Sequence, residues 1–361
     1  MNASTHSTIR ALRGGFSILA LSVLIATIHA QEYSAVDLGH FAATGIDNSG
    51  TIVGNILDGS GNPQAYSYSN GGFTYLGTLG GYSTANAINN FDTAVGNSYI
   101  YLDWHLGGNQ TWGAVYSNGS VTAIQPYTGQ SSSPNAINDQ GTIVGQMGID
   151  WHFGGGARAY RYSNGTMTDL LPSSYISSAN GINNSGTIVG TADGRAFSYS
   201  NGTVAYLSSL GGTTGSANAI NGSGTIVGSS LTAGGNQHAY SYINGTITDL
   251  GTLGGFTSTA KALNDSGMIV GDSTVSGGTQ NAFVFNSNGM TDLNSLVMLN
   301  SVTLTDAVAI NNIGQIVADG SNGDSYLITP IPEPSTYAAI LGLSVLGLTI
   351  IRRRTTPSYS N

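Results

Sequence analysis

Short alternating runs of hydrophobic and polar residues fill most of this chain, and clusters of Gly, Asn and Ser interrupt them. The apolar positions favour β-branched and aromatic residues, a pattern that predicts short half-buried strands joined by tight turns. One run, Thr-Ile-Val-Gly, occurs at 51–54, 142–145, 187–190 and 225–228, with variants at 93–96, 268–271 and 315–318. The seven anchors are spaced by 42, 49, 45, 38, 43 and 47 residues, the period of β-propeller blades. Upstream of each lies Ala-x-Ala-Ile-Asn or a relative, as at 85–89, 217–221 and 307–311. Downstream come Ala-aromatic-x-aromatic, as at 65–68 and 239–242, an Asn-Gly turn, and Thr-x-Thr-Asp-Leu, as at 166–170 and 246–250. Asn-Gly supplies the positive φ that a two-residue hairpin demands. Each unit is therefore predicted to be four short antiparallel strands.

The ends of the array decide whether it is closed or open. The last unit has three strands, 307–311, 315–318 and 324–328, before Pro330 opens a different kind of sequence. The segment Tyr33-Ser34-Ala35-Val36-Asp37-Leu38-Gly39 matches the fourth-strand motif and has no first three strands before it. One orphan strand at each end is what a ring sealed by strand exchange requires, and a ring removes exposed sheet edges. The expected fold is all-β, a seven-bladed propeller closed by an N-terminal strand; an open β-solenoid is the alternative.

Composition narrows the function classes. Charged residues make up 7% of the 361 positions, Gly occurs 53 times, and Cys is absent. Helical bundles need charged wet faces, so an all-α fold is excluded; 40% hydrophobic residues with 19 Tyr supply a core and exclude disorder. Without Cys there are no disulfides, thiolate metal sites or thiol catalysis. Between residues 31 and 331 only Arg158, Arg161, Arg195 and Lys261 are basic, against 17 acidic residues, a formal −13. That surface repels nucleic acid.

The two termini read as addresses. Arg10 and Arg13 precede 13 uncharged, mostly apolar residues, 16–28, and 28–30 ends in a small residue; this is an export signal, with the mature chain starting at Gln31. At the other end Pro332, Glu333 and Pro334 precede a nearly apolar run, 336–351, and then Arg352, Arg353 and Arg354. As a helix the run is about 24 Å long, short of a ~30 Å hydrocarbon core, with the Arg cluster on the cytoplasmic side. Pro-Glu-Pro, an apolar span and an Arg cluster in this order resemble the PEP-CTERM sorting tail of Gram-negative bacteria. The resemblance implies recognition and cleavage by an exosortase, after transient anchoring in the inner membrane, and delivery to the cell surface or extracellular matrix. The extension 355–361 departs from that family, whose tails stop soon after the basic cluster. A permanent C-terminal anchor is the other reading. The expected domains are a signal peptide, 1–30; a repeat propeller, 31–329; and a sorting tail, 330–361, with its helix at 336–351.

The repeats themselves, with Gln64-Ala65-Tyr66, Arg158-Ala159-Tyr160, Arg195-Ala196-Phe197, His238-Ala239-Tyr240 and Asn281-Ala282-Phe283, and with Asp-Leu-Gly-Thr-Leu-Gly-Gly at 249–255, resemble the HAF repeat of extracellular bacterial proteins. This resemblance implies secretion and repeat architecture and brings no chemistry with it. The drift of the first triplet position away from His marks the triplet as structural.

Standard catalytic motifs are missing: no nucleophile elbow, zinc-protease helix or phosphate loop is present. The only glutamates, Glu32 and Glu333, stand at the margins, so paired-carboxylate chemistry would rest on Asp alone. The Asp47-Asn48-Ser49-Gly50 turn and its relatives offer too few carboxylates for calcium and read as hairpin turns. One feature breaks the repeat: Asp103-Trp104-His105 recurs as Asp150-Trp151-His152 in the next unit, each followed by an apolar residue and Gly-Gly. In extended chain Asp and His share one side and Trp takes the other, so these six residues are the candidate ligand-binding set. They suit a lengthened hairpin whose Trp covers the neighbouring blade, an aromatic platform for a sugar ring, or a mixed O/N metal site. No metal and no cofactor is expected. The chain thus reads as an exported, non-catalytic envelope or matrix protein that is structural or binds a ligand such as extracellular polysaccharide. An Asp-dependent propeller enzyme acting on such polysaccharide is the alternative.

Overall fold

The computed structural model describes residues 33–101, 110–124, 130–148, 156–174 and 176–331. The chain opens with β1 (Tyr33–Asp37). Blade one is β2 (Ala42–Ile46), β3 (Ile52–Leu57), β4 (Pro63–Ser69) and β5 (Gly72–Tyr75); blade two is β6 (Ser83–Ile88), β7 (Ala94–Ile100), β8 (Gln110–Ser117) and β9 (Ser120–Ile124). Blade three is β10 (Ser132–Ile137), β11 (Ile143–Gly148), β12 (Ala157–Ser163) and β13 (Thr166–Asp169). Blade four is β14 (Ser177–Ile182), β15 (Ile188–Ala192), β16 (Arg195–Ser200) and β17 (Thr203–Tyr206). Blade five is β18 (Gly211–Ile220), β19 (Ile226–Thr232), β20 (Gln237–Ile243) and β21 (Thr246–Gly251). Blade six is β22 (Gly254–Leu263), β23 (Ile269–Val275), β24 (Gln280–Asn286) and β25 (Gly289–Asp292). Blade seven takes β26 (Leu304–Ile310), β27 (Ile316–Gly320) and β28 (Ser325–Pro330) from the end of the array and its fourth strand, β1, from the beginning.

The sheets are seven antiparallel meanders, and the innermost strands of consecutive blades touch all the way round, β26 against β2 included. The fold is the closed seven-bladed propeller. Its seal is the antiparallel register Tyr33↔Pro330 to Asp37↔Tyr326, with Val36 opposite Leu327. An open solenoid would leave both of these edges bare.

The recurring anchor is explained by what covers it. Its Ile faces one neighbouring blade and its Val the other, so both positions are apolar: Ile52 packs with Phe41 and Val317, whereas Val53 packs with Ala85 and Tyr116. The core is accordingly seven apolar seams, one per junction between blades. The glycine that follows is a matter of distance. A Cβ on Gly96, Gly228 or Gly271 would stand 1.9 Å from the backbone oxygen of Thr84, Ser216 or Thr259 on the inner strand. Ala318 takes this place in blade seven, where the inner strand has an additional register shift between Leu304 and Asp306.

Each inner strand also bulges by one residue between its two small residues, for example between Ala85 and Ala87 and between Ala217 and Ala219. The bulged side chain reaches the next blade. Thr44, Asn86, Asn135, Asn180 and Asn218 donate to the carbonyls of Ala85, Pro134, Ala179, Ala217 and Ala260 at 2.7–2.9 Å. A bulge re-aims one side chain without ending the strand, which is the property used here. The outer hairpins are the positive-φ turns that Asn-Gly predicts: Asn70, Asn118, Asn164, Asn201 and Asn244 all lie at φ 49–51°, each followed by a positive-φ Gly.

Candidate functional site

Two features qualify as sites: a girdle of amides at one mouth of the central channel, and a pair of clefts between blades on the opposite face.

The girdle is built from the last residue of Ala-x-Ala-Ile-Asn. Each Asn Oδ1 accepts backbone N–H groups of its own turn, as Asn89 does from Phe91 and Thr93. Each Nδ2 donates onward to the equivalent carbonyl of the next blade. The chain of donors runs Asn89, Asn138, Asn183, Asn221, Asn264, Asn311 and back to the Asp47 carbonyl, at 2.9–3.1 Å. An amide is required because one side chain must accept locally and donate across; a carboxylate does only the first. Asp47 is that exception, accepting from Ser49 and Thr51 with no N–H to send to blade two. A second tier lies beside it, in which Asn48, Asn90, Asp139, Asp265 and Asn312 each donate a backbone N–H to the side chain at the same place in the next blade. Burial works against the charge of Asp139, but the amides of Asn90 and Asn184 hold its carboxyl below the ordinary range. The mouth holds a cavity of about 260 Å³ whose polar groups are largely committed to one another. We read the girdle as the structural lock of the ring. Asp47→Asn would complete the first tier with one more buried hydrogen bond, worth about 1 kcal/mol. A rise of about 2–3 °C in Tm is expected by calorimetry; a fall would show that the Asp47 carboxylate itself is needed.

The clefts arise where another repeat device fails. At four junctions the third strand of one blade is clamped by a serine of the next: the N–H groups of Ala65, Gly113, Ala159 and Ala239 donate to the hydroxyls of Ser83, Ser132, Ser177 and Ser258 at 2.8–3.0 Å. At the seal, the Ser325 N–H bonds instead to the Gly39 carbonyl at 3.1 Å. Two junctions lack the serine. Between blades four and five Gly215 stands in its place; between blades six and seven the register shift puts Leu304 there, and Thr305, which matches the serine in sequence, turns its hydroxyl to the Asp319 carbonyl at 3.2 Å. At these same two junctions lie inter-blade cavities of about 350 Å³ and about 720 Å³ respectively.

The larger cleft is lined by Thr279, Gln280, Asn281, Thr303 and Ser321, with Asp306 and Asp319 at its inner wall. Behind them Lys261, the bulged residue of blade six, bonds to Asp306 and lies 3.5 Å from Asp272. Burial pushes the Asp272 carboxyl above the ordinary carboxylate range despite the nearby ammonium. Asp319 is raised for the same reason, although the Ser325 hydroxyl donates to it at 2.7 Å. Burial disfavours the charge of Lys261, yet its Asp306 and Asp272 partners hold its pKa above the usual lysine value. Asp306 Oδ1 is buried and has no partner, a ready acceptor. No group of three metal-ligating side chains occurs among the described residues.

Neither the girdle nor the clefts were singled out in the sequence. The legible signals were the Asn that closes six of the seven inner strands and the loss of serine at 215 and 305. The six residues that were singled out, Asp103, Trp104, His105, Asp150, Trp151 and His152, lie outside the described residues, as do the signal peptide and the sorting residues Pro332, Glu333, Pro334, Arg352, Arg353 and Arg354. The strands flanking the first set, β7 and β8 in blade two and β11 and β12 in blade three, belong to neighbouring blades whose inner strands touch. No helix among the described residues is long and apolar enough to cross a membrane.

A family model for the PEP-CTERM protein-sorting motif matches residues 330–354. The match marks an exported protein sorted by exosortase. No curated protein matches the sequence. The HAF-repeat resemblance of the body gains no support from these comparisons. Among solved structures, a puromycin-hydrolysing peptidase of Mycobacterium tuberculosis is similar with a TM-score of 0.52 at 10% identity, over 78% of this chain and 48% of that one. YCF48 bound to D1 peptide gives 0.49 at 11%, over 83% and 96%. A catalytically inactive virginiamycin B lyase of Staphylococcus aureus with quinupristin gives 0.47 at 11%, over 83% and 100%. At such identities the likeness is one of fold.

Proposed function

We propose that this chain is an exported, non-catalytic propeller of the cell envelope or extracellular matrix that binds a hydroxyl-rich ligand, a polysaccharide, in the cleft between blades six and seven. A signal peptide at 1–30 starts export, and the tail at 330–361, with its helix at 336–351, holds the chain in the inner membrane until exosortase acts. The reading is carried by one observation: a cleft of about 720 Å³ whose walls are hydroxyls, side-chain amides and acceptor carboxylates. Such walls exchange hydrogen bonds with sugar hydroxyls, and carboxylates accept them strongly.

A second reading, an Asp-dependent polysaccharide-cleaving enzyme, draws on a specific contrast. Asp319 is half-buried, and burial raises its carboxyl above the ordinary carboxylate range, while Asp306 is bonded to the Lys261 ammonium. Two acids with unlike environments are what general acid and base require. Lys261 speaks for binding, since it occupies the carboxylate that would serve as base.

Affinity electrophoresis of the full-length chain in gels containing a soluble β-glucan or galactan separates these readings. Retardation of the wild type is expected in at least one gel, with about tenfold weaker binding for Asp306→Asn and no release of reducing ends. Reducing ends that disappear in Asp319→Asn would establish the enzyme reading instead. Unchanged retardation of the Trp104→Ala/Trp151→Ala double variant would remove those loops from the ligand site. Retardation that survives Asp306→Asn would remove the cleft.

A further inference from the structure

At the junction of blades four and five, two departures from the repeat and one unpaired phenol meet in the cavity of about 350 Å³. The first is Gly215, which offers no hydroxyl to the Ala196 N–H where four other junctions supply a serine.

The second is Arg195. The first residue of each triplet faces a fixed partner on the outer strand: Gln64 with the Tyr75 hydroxyl, Arg158 with Asp169, His238 with Asp249, Asn281 with Asp292. Arg158 and His238 thus meet carboxylates. Arg195 instead faces Tyr206, with its guanidinium 4.3 Å from the ring centroid, and no ion pair forms at it among the described residues. Asp193 in the same hairpin is directed to the Ile176 N–H at 3.0 Å.

Beside these two stands Tyr240, which lines the cavity, is 1% exposed, and has a hydroxyl without a partner, as has Tyr160 at the same place in blade three. The hydroxyl is not needed for the fold, because Phe197 and Phe283 fill the same repeat position in blades four and six. A buried phenol left unpaired in a polar cavity is costly unless something accepts from it.

We propose that this cleft binds the carboxylate-bearing ring of an acidic sugar. Arg195 pairs with the carboxylate, the Tyr240 hydroxyl and the Ala196 N–H donate to ring or hydroxyl oxygens, and Ser208, Thr213 and Thr214 complete the wall. A single guanidinium in a body of formal charge −13 suits one negative charge better than the two of a phosphate. Hydroxyl-lined walls suit a sugar better than a plain organic acid. The proposal does not depend on the ligand of the larger cleft, because it is read at different residues.

Isothermal calorimetry of the full-length chain against a galacturonate trimer, a galactose trimer and acetate tests it. The galacturonate trimer is expected to bind at least tenfold more tightly than either control. Arg195→Gln should weaken it about tenfold or more, the loss of one charge-assisted pair. Tyr206→Asp, which gives Arg195 the kind of partner Arg158 has, should do the same without touching the cleft wall. Tyr240→Phe should weaken binding several-fold with Tm unchanged or raised. Equal binding of the galactose trimer, full competition by acetate, absence of binding, or indifference to Arg195→Gln would each overturn the proposal.

Discussion

Deleting residues 31–38 is expected to abolish the cooperative melting transition of the propeller and to convert a monomer into soluble oligomers or aggregate. The segment contains β1, which pairs with β28 along five positions, and it buries Tyr33 and Leu38 at opposite ends of the strand. Tyr33 packs among Leu293, Val297 and Leu304, and Leu38 with Phe41 and Val317. Two large buried side chains contribute about 1.5–3 kcal/mol each, and each lost ladder hydrogen bond about 1 kcal/mol more. The sum approaches the 5–15 kcal/mol that holds a whole domain together. The deletion also bares the edge of β28, an unpaired template for another chain. Calorimetry and light scattering on a sizing column measure both effects, and a synthetic peptide of residues 31–39 should restore the monomer in part. A deletion variant that stays monomeric and melts as the wild type does would mean that β1 does not seal the ring.

Gly228→Ala is expected to be among the most damaging single methyl groups that the described residues can receive. Its Cβ would stand 1.9 Å from the Ser216 carbonyl oxygen, with Ala217 Cα at 3.0 Å, and both are backbone atoms of the inner strand. Neither atom yields by a rotamer change, so β18 must move away from β19, toward the channel. Overpacking of this kind costs about 1–3 kcal/mol and occasionally more, and the backbone obstruction places this case at the upper end. A Tm lower by about 5–10 °C is expected, against about zero for Gly59→Ala, whose Cβ meets nothing within 4 Å. If the two variants melted alike, the close approach of β18 and β19 would not be what fixes the anchor glycine.

The candidate sites were far less legible than the fold. A fold repeated seven times announces itself, because each unit restates the same alternation and turns, whereas a site is written in the exceptions. Gly215, Thr305 and the Tyr206 partner of Arg195 are unremarkable residues until superposed on their counterparts in the other blades. Their meaning depends on which blade each one faces. Asp306, Asp319 and Asp272 come from two blades and three strands and share no local motif. The Asp-Trp-His loops were conspicuous for the opposite reason, being local and repeated.

What the sequence settled by itself was everything periodic: seven units, four strands in each, Asn-Gly hairpins, and an orphan strand at either end. Alternation, turn chemistry and spacing are local properties, and they survive translation into structure without knowledge of neighbours. What only the tertiary structure decided was every bond from one blade to the next. The girdle joins residues about 40 positions apart from blade to blade, the serine clamps residues about 20 apart, and the seal residues nearly 300 apart. Their chemistry exists only once closure of the ring has set the distance between blades.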